Sequence, residues 1–374
     1  AKTINIPASV DSKIVTSINL NAFKDATKMQ KVIIPYTIEK IGGSAFENCV
    51  ALSTVEIKTK TEGAQILGVK EIASSAFKNS AITSIDLSSV TSLKDNALEN
   101  CVNLTQVTCG NQLKHVGRYA FSNCVNLQEI ELTATSMVIE NFAFYNCFLL
   151  KKATFTSVNT FGLGVLQGCN ALKELFVAKM GQGTNNHLGY FFGGVNYNQK
   201  QIYVPTSLEK LTVVNTTSFT QNSLYGINSL KELTLISESS LSENLFIHCT
   251  NLHVLSIPSL YQESEEDSKY LKFYQLFGNS VASVPTSLKG VIISKDNYIC
   301  DNAFSNISTL TSVSAPLVNK IGKNAFSGCS GLQILTTKSG EWKTTLQTDF
   351  TSGTVAELTV QNITADLADY YWYI

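Results

Sequence analysis

The sequence predicts a repeat solenoid of about fourteen stacked coils joined through a parallel sheet. Three observations lead there: a five-residue motif that recurs along most of the chain, apolar residues at fixed offsets on either side of it, and units too short to bury their own apolar side chains. A chain of 374 residues would otherwise suggest two or three domains. Arrays escape that estimate because they grow by stacking and not by enlarging one core.

The motif reads AFENC (45–49), AFKNS (76–80), ALENC (97–101), AFSNC (120–124), AFYNC (143–147), AFSNI (303–307) and AFSGC (325–329). Weaker copies are AFKDA (22–26), VLQGC (165–169), FFGGV (191–195), SLYGI (223–227), LFIHC (245–249), LFGNS (276–280) and DFTSG (349–353), which makes fourteen. Most steps between copies are 21 to 24 residues, and longer steps mark insertions, chiefly near 183–201 and 261–280.

Six residues after the aromatic comes an apolar run such as Leu52/Val55/Ile57, Leu127/Ile130/Leu132 or Leu252/Leu255/Ile257. Its alternation suits a short strand with one buried face. Five residues before the aromatic stands another apolar residue (Ile18, Ile41, Ile72, Leu93, Val116, Ile139, Phe161, Ile299, Ile321), which suggests a second short extended piece. Stacked coils would bury these positions against each other while their strands pair about 4.8 Å apart. Pro7, Pro35, Pro258 and Pro316 follow the strand runs, where a missing N–H is cheapest. Pro205 and Pro285 sit in a repeated VPTSL pentapeptide that follows each long insertion. The solenoid is expected over 1–340, with 341–374 forming the last coil and a cap in which Trp342, Phe350 and the Tyr370–Tyr373 aromatics cover the open apolar end.

The units IPYTIEKIGGSAFENCVALSTVEI (34–57) and VNKIGKNAFSGCSGLQIL (318–335) resemble BspA-type leucine-rich repeats, and the resemblance runs from about residue 4 to about residue 360. It implies a right-handed, gently curved α/β leucine-rich-repeat array. It also implies a bacterial or protist protein that is secreted or attached to the cell surface and engaged in adhesion.

Seven of nine cysteines (Cys49, Cys101, Cys124, Cys147, Cys169, Cys249, Cys329) hold the fifth motif position, where other coils place Ala26, Val195 or Ile227. Such a slot is apolar and interior, and free Cys fills it as a small hydrophobe. Parallel side chains on stacked coils keep Cβ atoms beyond the roughly 3.5–4.5 Å that a bridge needs, so no disulfide ladder is expected. Cys109 ends a strand run and also looks interior, while Cys300 is the least constrained.

Little else suggests chemistry. His115, His187, His248 and His253 lack zinc spacing, and there is no Cys-x-x-Cys. The glycines of 162–168 miss a dinucleotide loop by one residue and fall on the repeat. The expectation is no catalytic residue, no metal and no cofactor. A net charge of −1 without a basic run argues against nucleic acid, and no apolar stretch nears the roughly 20 residues of a membrane span. No leader peptide is visible before Thr3.

Two surfaces are candidates for a partner. One is the outward row of the strands, including Glu129, Glu131, Lys152, Glu174, Phe176, Thr212 and Thr234; it is either an ordinary solvated face or a shallow, mildly acidic groove. The other is the aromatic content of the long coils, Tyr190, Tyr197, Tyr203, Tyr261, Tyr270 and Tyr274, with Phe192 and Phe277 in core slots. These tyrosines either pack as satellite clusters or form a recognition patch. The function expected is a monomeric, non-enzymatic binding or adhesion module for an extracellular protein or glycan of a host or microbial community. The alternative is an inert spacer within a larger surface protein.

Overall fold

The computed structural model describes residues 2–181, 186–195, 204–214, 219, 223–224, 227–236, 241–262, 269–338 and 359–362. Apolar residues placed every second position along four-residue runs give strands that bury one face, as in Lys31–Ile34, Thr54–Ile57 and Ser84–Leu87. Stacked in parallel, these strands make a solenoid of about thirteen turns, close to the fourteen expected. The helical part of the expected α/β pattern does not appear: the only helices among the described residues are three short 3-10 segments, Leu188–Phe192, Phe273–Leu276 and Val281–Ser283.

The chain divides into two compact units, Ala1–Leu208 and Glu209–Ile374. In the first, Thr3–Asn5, Lys31–Ile34, Thr54–Ile57, Ser84–Leu87 and Gln106–Cys109 form one parallel sheet, and Glu129–Leu132, Lys152–Phe155 and Glu174–Val177 pair in the same sense. A second parallel sheet of seven strands joins Ser17–Ile18, Lys40–Ile41, Glu71–Ile72, Ser92–Leu93, His115–Val116, Met137–Ile139 and Val158–Phe161. These are the extended pieces expected before each aromatic. In the second unit the main strands are Lys210–Val213, Glu232–Leu235, Val254–Ile257, Gly290–Ile293, Ser312–Ala315, Ile334–Thr337 and Thr359–Asn362. The last of these pairs in register with Ile334–Thr337. Apart from it, the expected cap at 341–374 lies outside the described residues.

The motif itself is a turn, and its sequence follows from its backbone. Most coils have two left-handed residues, one just before the motif and one at its fourth position. Asn21 and Asp25, Ser44 and Asn48, Ser75 and Asn79, and Asn96 and Asn100 fill these slots in successive coils, all at φ between 52° and 60°. Asn tolerates that region better than other L-residues, which lose about 1–2 kcal/mol there. The amides also link coils: Asn79 Nδ2 donates to Asn48 Oδ1 at 2.7 Å, Asn100 to Asn79 at 2.8 Å and Asn123 to Asn100 at 2.8 Å. Beside this ladder the backbone N–H of each motif aromatic donates to the next coil, as with Phe46 to Ala76 O at 2.7 Å and Phe77 to Ala97 O at 2.8 Å.

Inside the turn the aromatics stack. Phe23, Phe46 and Phe77 follow one another at 5.2 and 5.1 Å, and Phe121 meets Phe144 at 5.0 Å. In the second unit Phe273, Phe304 and Phe326 continue the same arrangement at 4.8 and 5.2 Å. The 3-10 segment there divides one core slot between two residues. Phe273 stacks on the following coil, while Phe277 packs on Phe246 of the preceding one at 5.5 Å. Both are buried, and so is Leu276, because residues three apart share one face of a 3-10 helix and Phe273 and Leu276 turn that face to the core.

All nine cysteines are free. The fifth-position thiols do more than fill space. Cys101, Cys124, Cys147 and Cys169 donate to the carbonyls of Phe77, Leu98, Phe121 and Phe144 at 3.2–3.3 Å, one coil back in each case. Cys109 is half-buried, not fully interior as its strand position suggested; Val107 on the same face is half-buried too, and their strand is the last of its sheet. The VPTSL repeats are also explained. Ser207 Oγ donates to Leu172 O at 2.7 Å, and Ser287 Oγ donates to Leu252 O at 2.7 Å, which fastens the chain to the preceding coil as it returns from an insertion.

Two outcomes test this picture. Asn100→Ala should be less stable than Asn100→Gly by about 1–2 kcal/mol, since both lose the amide but only alanine resists the left-handed backbone; equal urea midpoints would contradict it. Denatured, unreduced protein should titrate nine thiols. Folded protein should react slowly, because burial pushes Cys101 and Cys249 up to about 12 and leaves almost no thiolate.

Candidate functional site

The strand face is built by register. Glu129, Lys152 and Glu174 stand side by side on successive strands, as do Glu131, Thr154 and Phe176. Glu129 and Glu131 are exposed and Phe176 is half-buried. Lys152 Nζ approaches Glu174 Oε2 at 3.9 Å, so those two candidates partly satisfy each other. The same holds elsewhere on the face. Lys31 meets Glu56 at 2.9 Å, and Lys58 and Lys31 together hold the Glu56 carboxyl at about 2. In the second unit Lys210 meets Glu232 at 3.2 Å. Exposed pairs of this kind are screened by solvent and add little to stability, but each one ties up charge that could otherwise attract a partner.

The outward row is not uniformly exposed. Thr212 and Thr234 are buried, and so are Ser256 and Thr336 in the same row. These short side chains, in register from Thr212 to Thr234 to Ser256, reach less far out than the Lys210–Glu232 pair beside them.

The aromatic residues of the long coils separate into three groups. Tyr197 and Tyr203 lie outside the described residues. Tyr190 is half-buried on the 3-10 segment Leu188–Phe192, edge-on to His187 at 6.5 Å, above the buried Phe191 and Phe192. Tyr274 is half-buried on the segment that carries Phe273.

Tyr261 and Tyr270 form the third group. They face each other across a two-stranded antiparallel hairpin, with ring centroids 5.0 Å apart. Tyr298 joins them at right angles, 5.4 Å from Tyr270. All three are half-buried. Lys320 Nζ lies 5.3 Å over the Tyr298 ring, and Tyr298 Oη donates to Asp301 Oδ1 at 3.2 Å. Burial raises the pKa of the Tyr270 and Tyr298 phenols, which therefore remain neutral donors.

A buried carboxylate roots this hairpin. Asp296 accepts the Ser259 hydroxyl and the Leu260 N–H, the latter at 2.8 Å, and burial raises its pKa. Neither Tyr298 nor Asp296 stood out in the sequence. The available signal for Tyr298 was its slot, which holds Ser17, Lys40, Glu71, Ser92 and Lys320 in other coils.

Among the described residues no group of three or more His, Cys, Asp and Glu is placed to hold a metal ion. His187 is buried, its Nε2 has no hydrogen-bond partner, and burial lowers its pKa. Its imidazole is therefore neutral in the fold while the unfolded form protonates below about 6.5. Stability should accordingly fall as pH drops through 6.5 and level off below the folded pKa. His187→Phe should flatten that part of the profile in melting experiments from pH 7.5 to 5, and an unchanged slope would rule the residue out as the cause.

The chain is similar in sequence to the profile of the BspA type leucine rich repeat region, over residues 1–65, 69–187, 194–271 and 279–370. Comparison with curated proteins gives no match. Among solved structures, it is similar to a leucine rich cell surface protein from Faecalibacterium prausnitzii, with 20% identity, 92% of this chain and 90% of that one covered, and a TM-score of 0.44. It is also similar to a leucine-rich repeat protein from Bacteroides ovatus, with 20% identity, coverage of 97% and 92%, and a TM-score of 0.35. The pneumococcal vaccine antigen PcpA shares 20% identity over 91% of this chain and 72% of its own, with a TM-score of 0.35. Likeness at this level assigns no residue of this chain a role. Among the described residues, no helix is long and apolar enough to cross a membrane.

Proposed function

We infer the function of this chain from one premise: it belongs to the BspA-type leucine-rich-repeat family. It is a non-enzymatic binding module, secreted or held at a cell surface, and its partner is an extracellular protein or glycan. The observation that carries this reading is the tyrosine cluster Tyr261, Tyr270 and Tyr298. Three half-buried rings are gathered on a hairpin that the coil does not need, and a buried carboxylate fixes its root. Tyr supplies a large apolar contact and a polar tip at low entropic cost, and for that reason it dominates recognition patches. The long strand face is the weaker surface, since so many of its charges are internally paired.

That pairing favours a second reading, an inert spacer whose surface satisfies itself. Binding of the purified chain to a panel of immobilised matrix glycoproteins and glycans separates the two. The binding module should engage at least one member, and Tyr261→Ala/Tyr270→Ala should weaken that binding about tenfold or more if these residues are hot spots. Glu129→Ala/Glu131→Ala should change it little. If nothing on the panel is bound, the spacer reading stands; if the parent binds and the tyrosine variant binds equally well, the chain is a binding module but the hairpin is not its contact surface.

A further inference from the structure

Among 28 lysines and arginines this chain has a single arginine, Arg118. It is exposed. Its backbone N–H donates to Asp95 Oδ1 at 2.9 Å, but its guanidinium meets no acceptor, carboxylate or ring among the described residues. The residue beside it is as unusual. Tyr119, and Phe142 one coil on, occupy the left-handed slot before the motif, at φ 53° and 59°. Other coils place Asn, Ser or Gly there. A bulky aromatic in that region is a genuine outlier and carries about 1–3 kcal/mol of strain.

The two rings stack at 5.2 Å and 16°, and Tyr145 meets both at nearly right angles, 6.2 and 6.0 Å away. All three are half-buried. In the next coil the same slot is Gly164, where a Cβ would lie 2.5 Å from the Phe142 ring. Phe142 is thus enclosed between Tyr119 and Gly164, which leaves the two phenols and Arg118 as the presented groups.

We propose that Arg118, Tyr119 and Tyr145 bind a carboxylate-bearing sugar, a uronate or sialate residue of a glycan. The guanidinium is a planar fork that matches a carboxylate with two parallel hydrogen bonds, which a lysine ammonium does not reproduce. Each tyrosine offers an apolar ring for the C–H face of a sugar and a hydroxyl for its oxygens. One cation suits one carboxylate. Asp95, whose Oδ1 accepts the Arg118 N–H, disfavours a second negative charge there.

A peptide has less to hold. His115–Val116, the strand that leads into this turn, is already paired on both sides, with Ser92–Leu93 and with Met137–Ile139. It leaves no free strand edge for an extended backbone to join. This site lies in the first unit and stands whether or not the tyrosine hairpin of the second binds anything.

The test uses the whole chain on an array that pairs each sialylated or uronate-bearing oligosaccharide with its neutral counterpart, beside an array of acidic peptides. The carboxylated glycans should be preferred about tenfold or more, the scale of a charge-assisted hydrogen-bond pair. Methyl esterification of the carboxylate should remove that preference. Arg118→Lys, Arg118→Ala and Tyr145→Ala should each lose it as well, with Arg118→Lys melting like the parent. Tyr261→Ala/Tyr270→Ala should keep the ratio of carboxylated to neutral binding even where it weakens total binding, which separates this site from the hairpin. The proposal falls if carboxylated and neutral glycans bind alike, if Arg118→Lys or the methyl ester binds as well as the original, or if acidic peptides are the preferred ligand.

Discussion

Each coil of this protein needs its neighbours to satisfy its backbone. Alternate N–H groups of a turn donate to carbonyls one coil along, as in Phe46 to Ala76, Phe77 to Ala97 and Leu98 to Ala120, while those between them close short bonds within the coil, as in Glu47 to Ser44 and Cys49 to Phe46. A buried N–H left without a partner is expensive, so a coil that departs from the common path penalises two coils at once. That constraint accounts for the regularity of everything else. The left-handed slots recur because the turn must recur, and the asparagines recur because they tolerate the slot and add an amide ladder of their own. Glycine appears where coils touch most closely: a Cβ on Gly162 would lie 2.2 Å from the Asn141 nitrogen, and one on Gly322 would lie 2.3 Å from Asp301 Oδ1.

The same constraint decides where the chain can vary. An insertion is tolerated if the chain returns to the register it left. Ser207 and Ser287 show how this is done, each reaching back to a carbonyl of the coil before the insertion. The 3-10 segment at Phe273–Leu276 shows a different solution. The common turn is lost there, but Phe246 N–H still finds Leu276 O and Phe273 N–H still finds Ala303 O, so both ladders pass through an altered coil.

The repeating features were legible in the sequence because periodicity reports burial directly. The main strands, the short strands ending at Ile41, Ile72, Leu93 or Val116, the buried aromatics and the prolines that close strands all sit where spacing placed them. The features that escaped are of another kind. The turn looked helical only through the family resemblance, because a left-handed Asn and a helical Asn are the same letter. The thiol hydrogen bonds were hidden because Cys reads as a small hydrophobe, and an acceptor one coil back has no local signature. Of the binding candidates, Tyr261 and Tyr270 came together because hairpin pairing opposes them. Their third partner, Tyr298, lies 28 positions beyond Tyr270 and only stacking brings it near. The outward charges were legible as exposed, but not as paired, since pairing depends on register between strands more than 20 residues apart.

A repeat protein therefore invites attention to its exceptions. A position that obeys the repeat is accounted for by stacking, whatever its chemistry; Cys124, Asn100 and Phe121 require no partner beyond the next coil. A position that breaks the repeat at an energetic cost has no such account. Tyr119 and Phe142 accept left-handed strain where asparagine or serine would suffice, and their stacking contact, worth about 0.5–1.5 kcal/mol, recovers only part of it. The Tyr261–Tyr270 hairpin adds backbone that no coil requires and ties it down with a buried carboxylate. Strain and added backbone persist in a fold when something other than the fold selects them. In both places the retained groups are aromatic rings at a half-open surface, the residue type that contributes most to recognition per side chain fixed.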